Sequence, residues 1–211
     1  MHQPADLLSP TYTPRLLRSL AAPTNSTLMG RLDFLKESVK NIRTTGTILR
    51  SSTRVCKKMI SFIDFSKAKH IVELGAGDGV ITKHILKHMR PDAKLIAFEV
   101  LERFAKQLNT IDDDRLVVAH DSAENIGDYL ARFGQEQADY IVSAIPFVVV
   151  PDEIKMRIMK EAVARLKPGG RFIQLHYSLK EKKMYEDAFG DVDVNFVLLN
   201  VPPCYVLVCD K

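Results

Sequence analysis

Four short stretches of this sequence carry residues whose types and spacing can hold a small ligand. The first is Glu73-x-Gly75-x-Gly77-x-Gly79, three alternating glycines directly after the apolar run 70–74. Glycine lets a strand-to-helix turn close tightly and brings backbone against a ligand. A dinucleotide fingerprint would need glycine at position 80, where Val80 stands, and Glu73 would repel a pyrophosphate. The same carboxylate suits a ligand bearing positive charge, as a sulfonium or an ammonium does. Glu99 ends the next apolar run, about twenty residues after the last glycine, from where a carboxylate reaches both hydroxyls of a ribose. Asp121 and Ser122 end the third run. Taken singly, these residues have structural explanations: a turn chosen for packing, or a cap for a helix at 124. Carboxylates at three successive strand ends do not share one, because ligands of open sheets bind at the carboxyl ends of the strands. The fourth stretch, Ser143-Ala144-Ile145-Pro146-Phe147, follows the fourth run, and its proline stiffens the loop.

Those residues need a scaffold that aligns strand ends along one edge. Short apolar runs alternate with helical patterns: 70–74 then 79–90, 94–98 then 101–109, 116–119 then 124–133, 138–145 then 152–166, and 171–176 then 180–189. Such repeats predict an α/β, Rossmann-like, mostly parallel sheet. The runs 192–199 and 205–209 are separated only by Asn200 to Pro203. No helix fits there, so the two pair antiparallel and complete a seven-stranded sheet with a C-terminal hairpin.

Ahead of the sheet, residues 1–27 are rich in Pro, Thr and Ser and read as a loosely ordered arm. Leu28, Leu32, Leu35, Val39 and Ile42 recur at helical spacing, with Arg31, Lys36, Lys40 and Arg43 on other faces. Val55, Met59, Ile60 and Ile63 form a second helical pattern, ending near Phe65, that the hydroxyls of Ser51 and Ser52 can cap. The expected division is therefore an arm (1–27), an amphipathic helical extension or lid (28–66) and a main domain (67–211). Residues 1–69 hold 12 Lys/Arg against 4 Asp/Glu, and the remainder 18 against 22. The basic front fits an anionic partner, a nucleic acid or an acidic lipid surface, and a merely solvated face is the alternative. Cys56, Cys204 and Cys209 show neither a disulfide framework nor metal spacing, which fits a reducing cytoplasm. No signal peptide and no run of about 18 apolar residues is read, so any membrane association is expected to be peripheral. His84 and His88 stand four apart without a third ligand, and no metal is expected.

The Glu73 to Gly79 pattern, with Glu99 and Asp121, resembles the class I S-adenosylmethionine-dependent methyltransferases. Over about residues 31 to 209 the chain is similar to the soluble bacterial phospholipid N-methyltransferases, which methylate phosphatidylethanolamine. That likeness is carried by Phe34-Leu35-Lys36, Thr45-Gly46, Ser51-Ser52, Ser143-Ala144-Ile145-Pro146 and Gln174-Leu175-His176-Tyr177-Ser178. It implies S-adenosylmethionine held by Glu73, Gly75, Gly77, Gly79, Glu99, Asp121, Ser122 and Ser143. A substrate loop would comprise Ala144, Ile145 and Pro146 together with Ser51 and Ser52. Adenine N6 enzymes place an amide where Ala144 stands, which argues against a nucleobase acceptor.

Methyl transfer from a sulfonium is an in-line displacement, so alignment and desolvation dominate and few catalytic groups are needed. Tyr177 is the candidate to orient an amine by its hydroxyl or ring, and His176 the candidate base. Strand alternation sets these two on opposite faces. The reading is a lipid-amine methyltransferase meeting the membrane through Leu28 to Arg43. The alternatives are a methyltransferase for RNA, protein or a small metabolite, and a noncatalytic binding protein that keeps the fold.

Overall fold

The computed structural model describes residues 52–211. The expected arm, the helix at 28–43 and Ser51 lie outside the described residues. Helix α1 (Thr53–Ile60) is followed by β1 (His70–Leu74), α2 (Val80–His88), β2 (Lys94–Phe98), α3 (Glu102–Leu108) and β3 (Leu116–Ala119). A short 3-10 turn (Ala123–Asn125) leads into α4 (Ile126–Ala131), β4 (Ala138–Ser143) and a second 3-10 turn (Phe147–Val149). Then come α5 (Asp152–Arg165), β5 (Leu166–His176), α6 (Lys182–Phe189), β6 (Asp193–Val197) and β7 (Cys204–Asp210). One seven-stranded sheet runs in the order β3-β2-β1-β4-β5-β7-β6. The first five strands are parallel, while β7 is antiparallel to both β5 and β6. The expected α/β sheet with its terminal hairpin is what the chain forms.

Alternation along the strands builds two apolar layers. Leu74, Phe98, Ile141 and Phe172 pack one face of the sheet beneath Ile126, Ile154, Ile158 and Tyr185. Ile71, Leu95, Val142 and Ile173 pack the other against Met59 of α1 and Ile85 of α2. Each such side chain contributes about 1.5–3 kcal/mol by leaving water. Because both faces are covered, the parallel strands read as nearly unbroken apolar runs. Val55, Cys56 and Met59 are fully buried, so α1 is a layer of the sheet domain, and the division drawn at residue 67 does not separate it from that packing.

Three boundaries differ from the sequence expectation for local reasons. Helix α1 stops at Ile60, because the Phe62 and Ile63 amides bond only three residues back, to the carbonyls of Met59 and Ile60, and close the last turn instead of continuing toward Phe65. The helix expected at 124–133 is broken at Asn125, whose φ of −107° and ψ of 23° lie outside the helical well. Strand β5 begins at Leu166, five residues early, because its register with β4 jumps from Ala138↔Leu166 to Tyr140↔Arg171 and a bulge absorbs Lys167 to Gly170.

Candidate cofactor site

The carboxyl ends of β1 to β4 converge on an open cleft of about 460 Å³, lined by Gly75, Phe98, Glu99, Val100, Asp121, Ser122, Ala123, Ala144, Ile145, Pro146 and Ile158. The glycine turn forms one lip. The Gly75 and Ala76 amides both donate to the Phe98 carbonyl, at 2.9 and 3.0 Å, which folds the loop over the end of β2. Gly75 has φ +71°, and a Cβ there would stand 3.0 Å from Ile145 Cγ1 and 3.3 Å from the Ile145 nitrogen. Only glycine lets the turn and the β4 loop approach this closely. Gly75→Ala is therefore expected to lower stability by about 1–2 kcal/mol from the left-handed backbone alone, read as a drop in Tm. It should also push Ile145 into the cleft and weaken ligand binding.

Glu99 ties the glycine turn to the start of α3. Its Oε2 accepts the Gly77 amide at 2.8 Å and its Oε1 the Leu101 amide at 2.8 Å. A carboxylate has about four acceptor sites, so both oxygens retain capacity for hydroxyl donors. Asp121 Oδ1 accepts the Ser122 amide at 2.7 Å and the Asn125 side-chain amide at 2.9 Å. Tyr129 packs edge-on against Phe98 at 5.0 Å, and burial together with the Asp121 charge raises its pKa. Ser122 caps the 3-10 turn, accepting the Glu124 amide at 3.3 Å and donating to the Glu124 carboxylate at 3.0 Å. Arg157 of α5 pairs with that same carboxylate and braces the turn.

On the fourth strand, Ser143 is buried and its Oγ accepts the Ile145 amide at 3.3 Å. Gln174, opposite Ser143 on β5, donates to the Ile145 carbonyl at 3.0 Å. The loop that carries Ala144, Ile145 and Pro146 is thus held from both strands. Sequence reading missed Gln174 as a loop-positioning residue, and missed Phe98, Val100, Ala123 and Ile158 as walls. Phe98 and Val100 flank Glu99, a signal available in the sequence, whereas Ile158 arrives from a helix that nothing local assigns to the site.

The remaining candidates fall elsewhere. Glu73 is fully buried beneath the glycine turn. It lies near Thr82 of α2 without closing a well-formed hydrogen bond. Burial, aided by the neighbouring Glu99 charge, pushes its pKa up to about 8. Gly77 and Gly79 shape the turn, and Gly79 starts α2 in the left-handed conformation without a side-chain cap. His176 is buried on the face of α5 and α6, with Nε2 2.7 Å from the Tyr185 hydroxyl. Burial and the nearby Lys155 charge lower its pKa to about 4, so it stays neutral, and it does not line the cleft. Tyr177 lies on the opposite face at an exposed rim, interacting with Asn200 and close to Cys204 and Cys56. Ser52 accepts the Val55 amide at 3.3 Å and caps α1. His88 Nδ1 lies 2.8 Å from the His84 carbonyl, and among the described residues no metal-binding group gathers.

The family model for the methyltransferase small domain matches residues 53–197. This chain belongs to that family. It is a class I S-adenosylmethionine-dependent methyltransferase, an enzyme. Among curated proteins it is similar to an ornithine lipid N-methyltransferase of Singulisphaera acidiphila, 28% identical over 185 residues, covering 83% of this chain and 93% of the relative. In fold it is similar to the 1,6-didemethyltoxoflavin-N1-methyltransferase of Burkholderia thailandensis, solved with bound 1,6-didemethyltoxoflavin and S-adenosylhomocysteine. The TM-score is 0.61 at 16% identity, with 93% of each chain covered. An rRNA methylase of Streptococcus thermophilus superposes with a TM-score of 0.56 at 16% identity, covering 78% of this chain and 98% of that one.

The methyltransferase's cleft fits S-adenosylmethionine chemically. Glu99 and Asp121 would offer acceptors to the donors of a ribose and an adenine amino group, and Phe98, Val100 and Ala123 would give the apolar walls an adenine needs. Bound there, the cofactor supplies a methyl group activated by sulfonium charge. The chain's own task is to hold donor and acceptor in line and to exclude water between them. No helix among the described residues is long and apolar enough to cross a membrane.

Proposed function

We propose that this enzyme transfers methyl groups from S-adenosylmethionine to the amine of a membrane lipid head group, of the phosphatidylethanolamine or ornithine-lipid kind. The observation that carries the reading is the alignment with the ornithine lipid N-methyltransferase, which spans 83% of this chain and 93% of that one. The acceptor side of the cleft supports it. Ala144, Ile145 and Pro146 offer apolar contact and no side-chain amide for a nucleobase amino group. In this reading Tyr177, at an exposed rim at the end of β5, would steer an ammonium by its ring or hydroxyl. No general base is assigned: a neutral lipid amine attacks directly, and a solvated ammonium loses its proton to water before entry. In this reading Glu73, Gly75, Gly77, Gly79, Glu99, Asp121, Ser122 and Ser143 form or shape the cofactor side. Leu28 to Arg43 brings the enzyme to the membrane from the cytoplasmic side as a peripheral protein.

Methyl transfer from labelled S-adenosylmethionine to vesicles containing phosphatidylethanolamine or ornithine lipid, with total RNA alongside, tests this. Label is expected in the lipid phase and absent with Glu99→Ala. Label in RNA alone, or none despite cofactor binding, would overturn the lipid acceptor.

A further inference from the structure

Four of the eight large apolar side chains that stand exposed among the described residues belong to one hairpin: Phe196, Leu198, Leu199 and Val201, exposed by 53, 64, 68 and 87%. The hairpin turn lies at the carboxyl edge of the parallel strands, because β5 ends at His176, which pairs with Tyr205 at the start of β7. Tyr177 joins the same patch through its interaction with Asn200. Soluble proteins rarely leave such a cluster open to water without a use for it.

The chemistry around the tip selects the occupant. Arg54 donates to the Leu199 carbonyl at 3.4 Å, which sets the first turn of α1 beside the hairpin. Neither residues 52–63 nor residues 194–205 contain an Asp or Glu. The surface is therefore apolar at its tip and cationic at its shoulder, with no carboxylate in either segment. Part of the tip's backbone polarity is already met. Pro202 and Pro203 have no amide hydrogen to desolvate. The Pro202 carbonyl is satisfied by the Asn200 side chain at 2.6 Å, and the Leu199 carbonyl by Arg54. Each of these features lowers the cost of bringing the tip into an apolar medium.

We infer that residues 198–203 dip into the surface of an anionic phospholipid bilayer, with Arg54 resting on its phosphates. This contact is distinct from the one proposed for Leu28 to Arg43. It would seat the carboxyl edge of the sheet, with the cleft, on the head-group layer. The inference rests on the lipid-amine reading for its purpose, and it is tested separately from it.

The chain contains no tryptophan, so Val201→Trp in the full chain is a single reporter. With vesicles of phosphatidylethanolamine and phosphatidylglycerol, its emission is expected to shift to shorter wavelength and to be quenched by brominated acyl chains. The pair Leu199→Glu and Val201→Glu should lower vesicle partitioning by about tenfold or more, with S-adenosylhomocysteine binding unchanged. Unquenched Val201→Trp on sedimented vesicles, or undiminished partitioning of the double variant, would overturn the inference and leave Leu28 to Arg43 as the contact. So would a hairpin whose burial tracks protein concentration instead of lipid, the mark of a second copy. If the reporter inserts while no label reaches lipid, the membrane surface stands and the lipid-amine acceptor falls.

Discussion

Replacing Glu99 with alanine is expected to weaken S-adenosylmethionine binding by about a hundredfold, some 3 kcal/mol. The side chain is 3% exposed and ties the Gly77 and Leu101 amides together at 2.8 Å each. Its removal strands two amide hydrogens at the mouth of the cleft and deletes the acceptors that a ribose would use. Charge-assisted bonds of this kind are about twice as strong as neutral ones. Isothermal titration with S-adenosylhomocysteine measures the loss. A Kd within about threefold of the parent would show that the carboxylate only shapes the loop. Glu99→Gln keeps one acceptor oxygen and should fall between the two.

The second large effect is a dependence of stability on pH that originates at Glu73. Burial holds its folded pKa up at about 8, against an ordinary value of 4.5. The folded chain thus keeps a proton that the unfolded chain releases. The contribution is fully present below the ordinary value and is lost as pH rises toward and through the folded value. The slope is about 1.4 kcal/mol per pH unit, on the order of 5 kcal/mol over the whole window. Urea unfolding without ligand, from about pH 6 to pH 9, should show this decline, and Glu73→Gln should flatten it. Parallel curves for the two proteins would rule the carboxyl out as the source. A cationic ligand favours the ionised form, so S-adenosylmethionine binding is expected to tighten with pH more than S-adenosylhomocysteine binding does.

Glu73 also marks where sequence reading met its limit. The composition of the turn pointed to a cationic ligand, but strand alternation puts this side chain with Ile71 on the α2 face, under the loop and away from the cleft. Which face a strand residue takes depends on register with neighbours that the local sequence does not specify. Glu99 and Asp121 were legible because strand ends in a parallel sheet share one edge wherever the helices settle. His176 and Tyr177 illustrate both sides. Their opposite faces follow from period-two geometry, whereas the Tyr185 hydroxyl that engages His176 lies on another element. Ser52 was legible as a cap from its place before an apolar helical pattern. The start of β5 was hidden because Lys167-Pro168-Gly169-Gly170 has the composition of a turn while serving as a bulge.

The strand order has a consequence for how the molecule is made. Strand β6 emerges before β7 yet, among the described residues, has no sheet neighbour other than β7, which lies between it and β5. Until β7 is synthesised, the edge of β5 presents an open row of amides and carbonyls, and β6 with Phe196 has nothing to join. The nascent chain therefore passes through a stage in which its most apolar exposed segment and its longest unpaired edge are available together. Such edges pair readily with other chains. A holdase, or the membrane surface itself, that shields this edge during synthesis should raise the yield of folded enzyme, and extra residues inserted between β6 and β7 should lower it.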